Sequence, residues 1–236
     1  MSDVGGRFGG GDEDSGSTGT PPDESPHTPG VQAAIQAYWD AIGRSDAERI
    51  SYLVNPMFLG APAWPGVRQT YRVVRTPHTV ILSSDGLADP DPQVTPPAPG
   101  MGCEVYLETP ALVGADLATL QGSWQFKAIE SLAQNVAYLG GLTQPLRDYS
   151  VLSMELPVPE APPQVLSPSG MLGCLVGVTP QGRAAYATSP VGPIAMVPMT
   201  LVRPEDFAQV VAGGHQARVA YANHLISQGH GHVSVV

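Results

Sequence analysis

Lysine is almost missing from this 236-residue chain: Lys127 is the single example, and the other basic residues are arginines. A phosphate-cradling G-x-x-x-x-G-K-[ST] loop needs a lysine at a strand-to-helix turn, and Lys127 falls inside a predicted helix, so that motif is excluded. Basic charge is scarce altogether, with 11 Lys and Arg against 21 Asp and Glu and a net charge of −10. Nucleic-acid binding draws on Lys and Arg to neutralise phosphates, so direct nucleic-acid binding is not expected. Only two cysteines are present, Cys103 and Cys174. Their wide separation makes neither a disulfide framework nor a metal motif, and their apolar flanks, GCEVYL and LGCLVGV, predict buried free thiols. No stretch nears the ~18 apolar residues of a membrane span. The opening MSDVGGRFGGGDEDSG has neither the basic nor the apolar region of a signal peptide, so a soluble, cytoplasmic protein is expected. The motifs G-x-S-x-G, H-E-x-x-H and C-x-x-C are also missing. A Cys–His nucleophile would have to pair Cys103 or Cys174 with His78 or His215. Neither thiol has the electropositive, partly exposed setting that lowers a thiol pKa. No catalytic, cofactor-binding or metal-ligating residue is assigned, and no enzyme is expected.

What the chain does have is 27 glycines and 25 prolines, well above the roughly 12% of average usage, which implies short elements and long connections. Residues 1–29 are rich in Gly, Pro and Ser. They carry Asp3, Asp12, Glu13, Asp14, Asp23 and Glu24 against Arg7 alone, and are expected to form a disordered acidic tail. Order is expected from Thr28-Pro29, an N-cap and first-turn signal, into a helix with the stripe Val31, Ala34, Ile35, Tyr38, Trp39, Ile42. Ser45 and Glu48 read as a capping box for a second short helix through Ile50, Leu53 and Val54. Strands are predicted at Tyr71–Val74, Thr79–Ser83, Cys103–Thr109, Val151–Leu156, Leu172–Val178 and Ile194–Val202. Pro198 demotes the last of these to an edge strand or bulge site. Leu87–Gly100, with its five prolines, is expected to be a long surface connection. Ile129, Leu132, Ala133, Val136 and Leu139 predict a long helix over Trp124–Leu139, stopped by Gly140-Gly141. Two helices are expected near the end, one from Pro204 and one over His215–Gln228, with residues 230–236 frayed. Grouped strands and helices point to an α+β fold, a mostly antiparallel or mixed sheet with helices packed against it. The organisation is a tail over 1–29, one domain over 30–229 and a frayed C-terminus.

Four residues stand out as candidate partner contacts. Glu104, Tyr106 and Glu108 share one face of the Cys103–Thr109 strand, expected to be its wet face. Trp64, in Ala63-Trp64-Pro65, is placed to anchor a partner, since Trp is favoured in binding hot spots. The alternative reading is a metal-binding protein or hydrolase that uses the loop Asp85, Asp89, Asp91 or the histidines His215, His224, His230 and His232. The loop misses the EF-hand spacing, and no thiol or carboxylate lies near the histidines in sequence.

Several segments together resemble the Suppressor-of-fused-like domain family in its small bacterial form. They are AYWDAIG (37–43), AWPGVRQTYRVV (63–74), VILSSDGLADP (80–90), GMGCEVYLETP (100–110), SWQFKAIESLAQNVAYLGGL (123–142), VLSMELP (151–157) and IAMVPMTLVRPEDFAQVVAGG (194–214). The resemblance implies an α+β domain without catalytic residues that binds a protein. Animal members hold a transcription factor by adding a peptide strand, and bacterial relatives are often placed among immunity proteins of toxin systems. The chain departs from the animal pattern in having no additional C-terminal domain, and no ligand residues carry over singly. The implied partner is a protein such as a toxin; the oligomeric state stays open.

Overall fold

The computed structural model describes residues 24–236, so the expected tail over 1–29 falls mostly outside the described residues. Where description begins, Ser25 is already buried and its carbonyl accepts the Thr28 amide at 2.9 Å. Helix α1 follows over Thr28–Asp40, with His27, not Thr28, at its N-cap and Pro29 in the first turn. Its apolar stripe Val31, Ile35, Tyr38 and Trp39 is buried.

The expected helix around 45–54 does not form. Two short strands stand in its place, β1 (Arg44–Ser45) and β2 (Ile50–Ser51), both antiparallel to β3 (Thr70–Arg75). The physical reason is the pull of ion pairs across the sheet edge. Asp46 takes a fork of hydrogen bonds from Arg75 at 2.8–2.9 Å, and Arg49 Nε reaches Asp85 at 2.9 Å. A helix would break both, and its capping box is worth only about 1 kcal/mol.

Strands β4 (Val80–Asp85) and β5 (Cys103–Thr109) continue the sheet. Then come helices α2 (Leu117–Gly122), α3 (Trp124–Leu139) and α4 (Thr143–Tyr149), of which only α3 was legible in the sequence. Strands β6 (Leu152–Leu156), β7 (Leu172–Val176), β8 (Tyr186–Ser189) and β9 (Gly192–Leu201) lead to helices α5 (Pro204–Ala212) and α6 (Gly214–Ser227). The sheet runs β1-β3-β4-β5-β9-β7-β6, with β2 on β3 and β8 on β9. Only β5–β9 is parallel among the described pairings, so this is a mixed sheet in an α+β fold.

The sheet is covered on both faces. On one, Ile129, Leu132, Ala133 and Val136 of α3 pack on Leu82, Val105 and Leu107. On the other, α1 packs on Val74, Ile81, Tyr106, Ile194 and Met196. Each large apolar side chain so buried stabilises the fold by about 1.5–3 kcal/mol. Helices α5 and α6 close a third cluster over Leu175 and Val202.

Two expectations about strands and loops need correcting. Strand β9 is central, not an edge, despite Pro198: it pairs β5 on one side, and β8 and then β7 on the other. The Pro198 carbonyl accepts Gly177 N–H at 2.9 Å, which puts its nitrogen on the side where β8 has ended and β7 is beginning. A missing donor costs no regular ladder bond at that fork. The Leu87–Gly100 connection is not wholly on the surface either, because Leu87, Ala88 and Asp89 are buried beneath it.

Candidate interaction site

Strand β5 lays Cys103, Val105 and Leu107 toward α3 and Glu104, Tyr106 and Glu108 toward α1. The alternation is as expected, but the second face is not wet. Glu104, Tyr106 and Glu108 are all buried. Helix α1 lies across Tyr106, with the Trp39 ring edge-on to it at 5.2 Å. The turn after β4 closes on Glu104, and Arg183 and His232 close on Glu108. None of the three can meet a partner directly as the chain is folded. Both cysteines are buried free thiols, pushed up to about 12 by burial, which removes thiolate chemistry at neutral pH.

The two glutamates sit in opposite electrostatic settings. Glu104 accepts the amides of Gly86 and Ala88 at 3.0 Å and the Ser84 hydroxyl. Burial and the neighbouring Asp85 charge outweigh those bonds and raise its pKa to about 7. Burial also acts to raise Glu108. There it loses to hydrogen bonds from His232, Arg183 and Thr79 and to the Arg183 charge, which pull Glu108 down to about 2. Arg183 grips the Glu108 carboxylate bidentately at 2.5 and 3.0 Å, Thr79 Oγ1 donates at 2.6 Å, and His232 Nε2 lies 2.8 Å away. Sequence reading placed His232 in a frayed end. The structure packs it against Tyr106, and Ser234 is buried too, because the sheet end offers both of them hydrogen bonds.

The Asp85–Asp91 loop is occupied by arginines. Asp85 meets Arg49, Arg68 and Arg72 at 2.9–3.1 Å, and Arg68 also forks onto Asp89 at 2.8 and 2.9 Å. Asp91 instead accepts the Gln93 amide in a local turn. Burial raises Asp85, yet the three guanidiniums outweigh it and lower its pKa. A cation here would have to displace arginines from both buried carboxylates. Among the described residues no group of three or more His, Cys, Asp or Glu side chains is arranged to hold a metal ion. His215 and His224 lie along α6, away from any such group.

Trp64 is buried as well, stacked edge-on against Tyr71 at 5.8 Å. An exposed apolar surface lies in the same segment of chain. Between Arg49 and Arg68 the chain has no charged residue. That segment exposes Leu53 fully, Phe58 at 73% and Leu59 at 78%, with Val54 and Val67 half open. A short 3-10 turn over Pro56–Leu59 is capped by Asn55, whose Oδ1 accepts Met57 N–H and whose Nδ2 donates to the Val67 carbonyl at 2.5 Å. Val67 is held at φ +63, a strained setting for a β-branched residue. Large apolar side chains held outward on a pinned loop are what an interface core looks like before it is covered. The sequence signal for this surface is an uncharged run containing Leu53, Met57, Phe58 and Leu59.

With this geometry in view, the chain was compared with known proteins. It matches no protein-family model and no curated protein. It is similar to a solved structure described as the Sufu-Fu complex crystal structure, at 12% identity and a TM-score of 0.54, over 90% of this chain and 91% of that one. The fold is Suppressor-of-fused-like. At this identity the likeness speaks for the Suppressor-of-fused-like architecture, and the α+β sheet above agrees with it. No helix among the described residues is long and apolar enough to cross a membrane.

Proposed function

We propose that this chain is a non-enzymatic, cytoplasmic binding domain that sequesters a protein partner, in the manner of an immunity protein holding a toxin. The observation that carries the reading is the pinned, charge-free loop with Leu53, Phe58 and Leu59 turned outward. Support comes from the similarity to a structure solved as a protein complex. The net charge of −10 adds to it, favouring a basic partner whose encounter is sped by opposite charge. The buried carboxylates contribute by fixing the scaffold rather than by touching the partner, since their oxygens are held by arginines and amides.

The test is reconstitution from purified components with a basic candidate partner, such as the product of a neighbouring gene. The expected result is a stoichiometric complex whose association slows as salt rises through the range where the Debye length shrinks below about 10 Å. A chain that stays monodisperse and unbound beside every such candidate at low salt contradicts the reading.

A further inference from the structure

Helix α6 ends at Ser227, and the nine residues after it do not trail into solvent. They cross the end of the sheet, with His232 beside Tyr106 on the α1 side and Val236 against the α3-side core. Their attachment is sparse. One main-chain bond reaches the sheet, from Ser234 N–H to the Glu108 carbonyl at 2.8 Å. Side chains supply the rest. Ser234 Oγ accepts Leu201 N–H at 2.9 Å, Thr200 Oγ1 donates to the His232 carbonyl at 3.1 Å, and the His232 ring meets Glu108 at 2.8 Å and Arg183 at 3.3 Å. Two glycines in left-handed backbone, Gly229 at φ +79 and Gly231 at φ +56, precede these contacts. They form the stretch where the backbone turns most freely.

The socket underneath does not depend on the segment that fills it. Without His232, Glu108 still accepts two bonds from Arg183 and one from Thr79, so its charge stays paired. A partly buried site that keeps its own hydrogen bonds when its cover leaves has two tenable states.

We infer that residues 229–236 are a releasable strap, hinged at Gly229 and Gly231, that closes a charged socket formed by Glu108, Arg183 and Tyr106 at the carboxyl ends of β5 and β9. Closed, the strap hides a carboxylate, a guanidinium and a phenol. Open, it presents them while the rest of the fold stands. The inference rests on the fold and not on the protein-binding reading.

Hydrogen exchange followed by mass spectrometry on the intact chain tests it, alongside the variants His232→Ala and Ser234→Ala. The strap amides and Leu201 should exchange as one unit, at least about tenfold faster than the amides of α3, through opening short of global unfolding. Each variant should speed strap exchange a further roughly threefold to tenfold, as losing one hydrogen bond does. Helix α3, which opens only on global unfolding, should speed by no more than that factor, so the gap between strap and α3 persists. Strap amides that exchange only at the α3 rate would overturn the inference. So would a variant that fails to fold, or one in which the difference between strap and α3 rates disappears, because the strap would then be part of the cooperative core.

Discussion

Glu104 and Glu108 lie four residues apart on one face of β5 and respond to pH in opposite directions. Glu108, held at about 2, releases its proton more readily folded than unfolded. Its stabilisation is therefore complete above the unfolded carboxylate value near 4.5 and is lost as pH falls from there through 2. The shift corresponds to roughly 3 kcal/mol. Glu108→Gln should forfeit it, seen as a lower urea midpoint at pH 7 and a shallower loss of stability between pH 4.5 and pH 2. Glu104, raised to about 7, binds its proton more tightly folded. Its contribution is complete below about 4.5 and is lost as pH rises through 7. Glu104→Gln should flatten the decline in stability between those values, and a midpoint that still falls equally across that window contradicts the assignment. The alternation of β5 was legible in the sequence, but the environment of its polar face was not. What covers that face is α1, some 65 residues earlier in the chain, and the pairing residues Arg183 and His232 come from far downstream. A polar face buried through ion pairs and a solvated polar face have the same residue pattern.

At the scale of elements, α3 is the part that local signals determined completely. Ser123 accepts the Phe126 amide at 3.1 Å, and the buried stripe follows the sequence period. Ser123→Ala should cost about 1 kcal/mol, measured as a lowered thermal midpoint with the sheet unchanged. The segment at 44–54 misled for the opposite reason. Its capping pattern is local, whereas the bonds that win, Asp46 to Arg75 and Arg49 to Asp85, join residues 29 and 36 positions apart. Arg75→Ala should release β1 from β3, detected as fast exchange at Ser45 and Asp46 with β4 and β5 still protected. Strand β9 shows the same limit: Pro198 signals a missing donor, and only the topology reveals that the donor would have pointed into a fork. Helices α2 and α4 are short, and the sequence period offers too few turns to mark them.

For the whole molecule, the fold class and most strand positions could be read from apolar spacing and turn residues, and the structural likeness over 90% of the chain agrees with that reading. The proposed contact surface could not, because exposure is decided by what the fold leaves uncovered. Trp64, Glu104, Tyr106 and Glu108 ended inside, while Leu53, Phe58 and Leu59 ended outside. The molecule is thus an acidic scaffold whose buried Asp85, Asp89 and Glu108 are paired with arginines, with an apolar loop left exposed that is the proposed contact surface. Titration calorimetry of a purified partner against the wild-type chain and the double variant Phe58→Asp, Leu59→Asp, with intact masses of both proteins taken afterwards, tests this most directly. The account predicts binding weakened about 100-fold or more in the variant, the scale of losing two hot-spot residues, and both masses unchanged. Undiminished affinity in the variant, or a partner whose mass has changed, would contradict it.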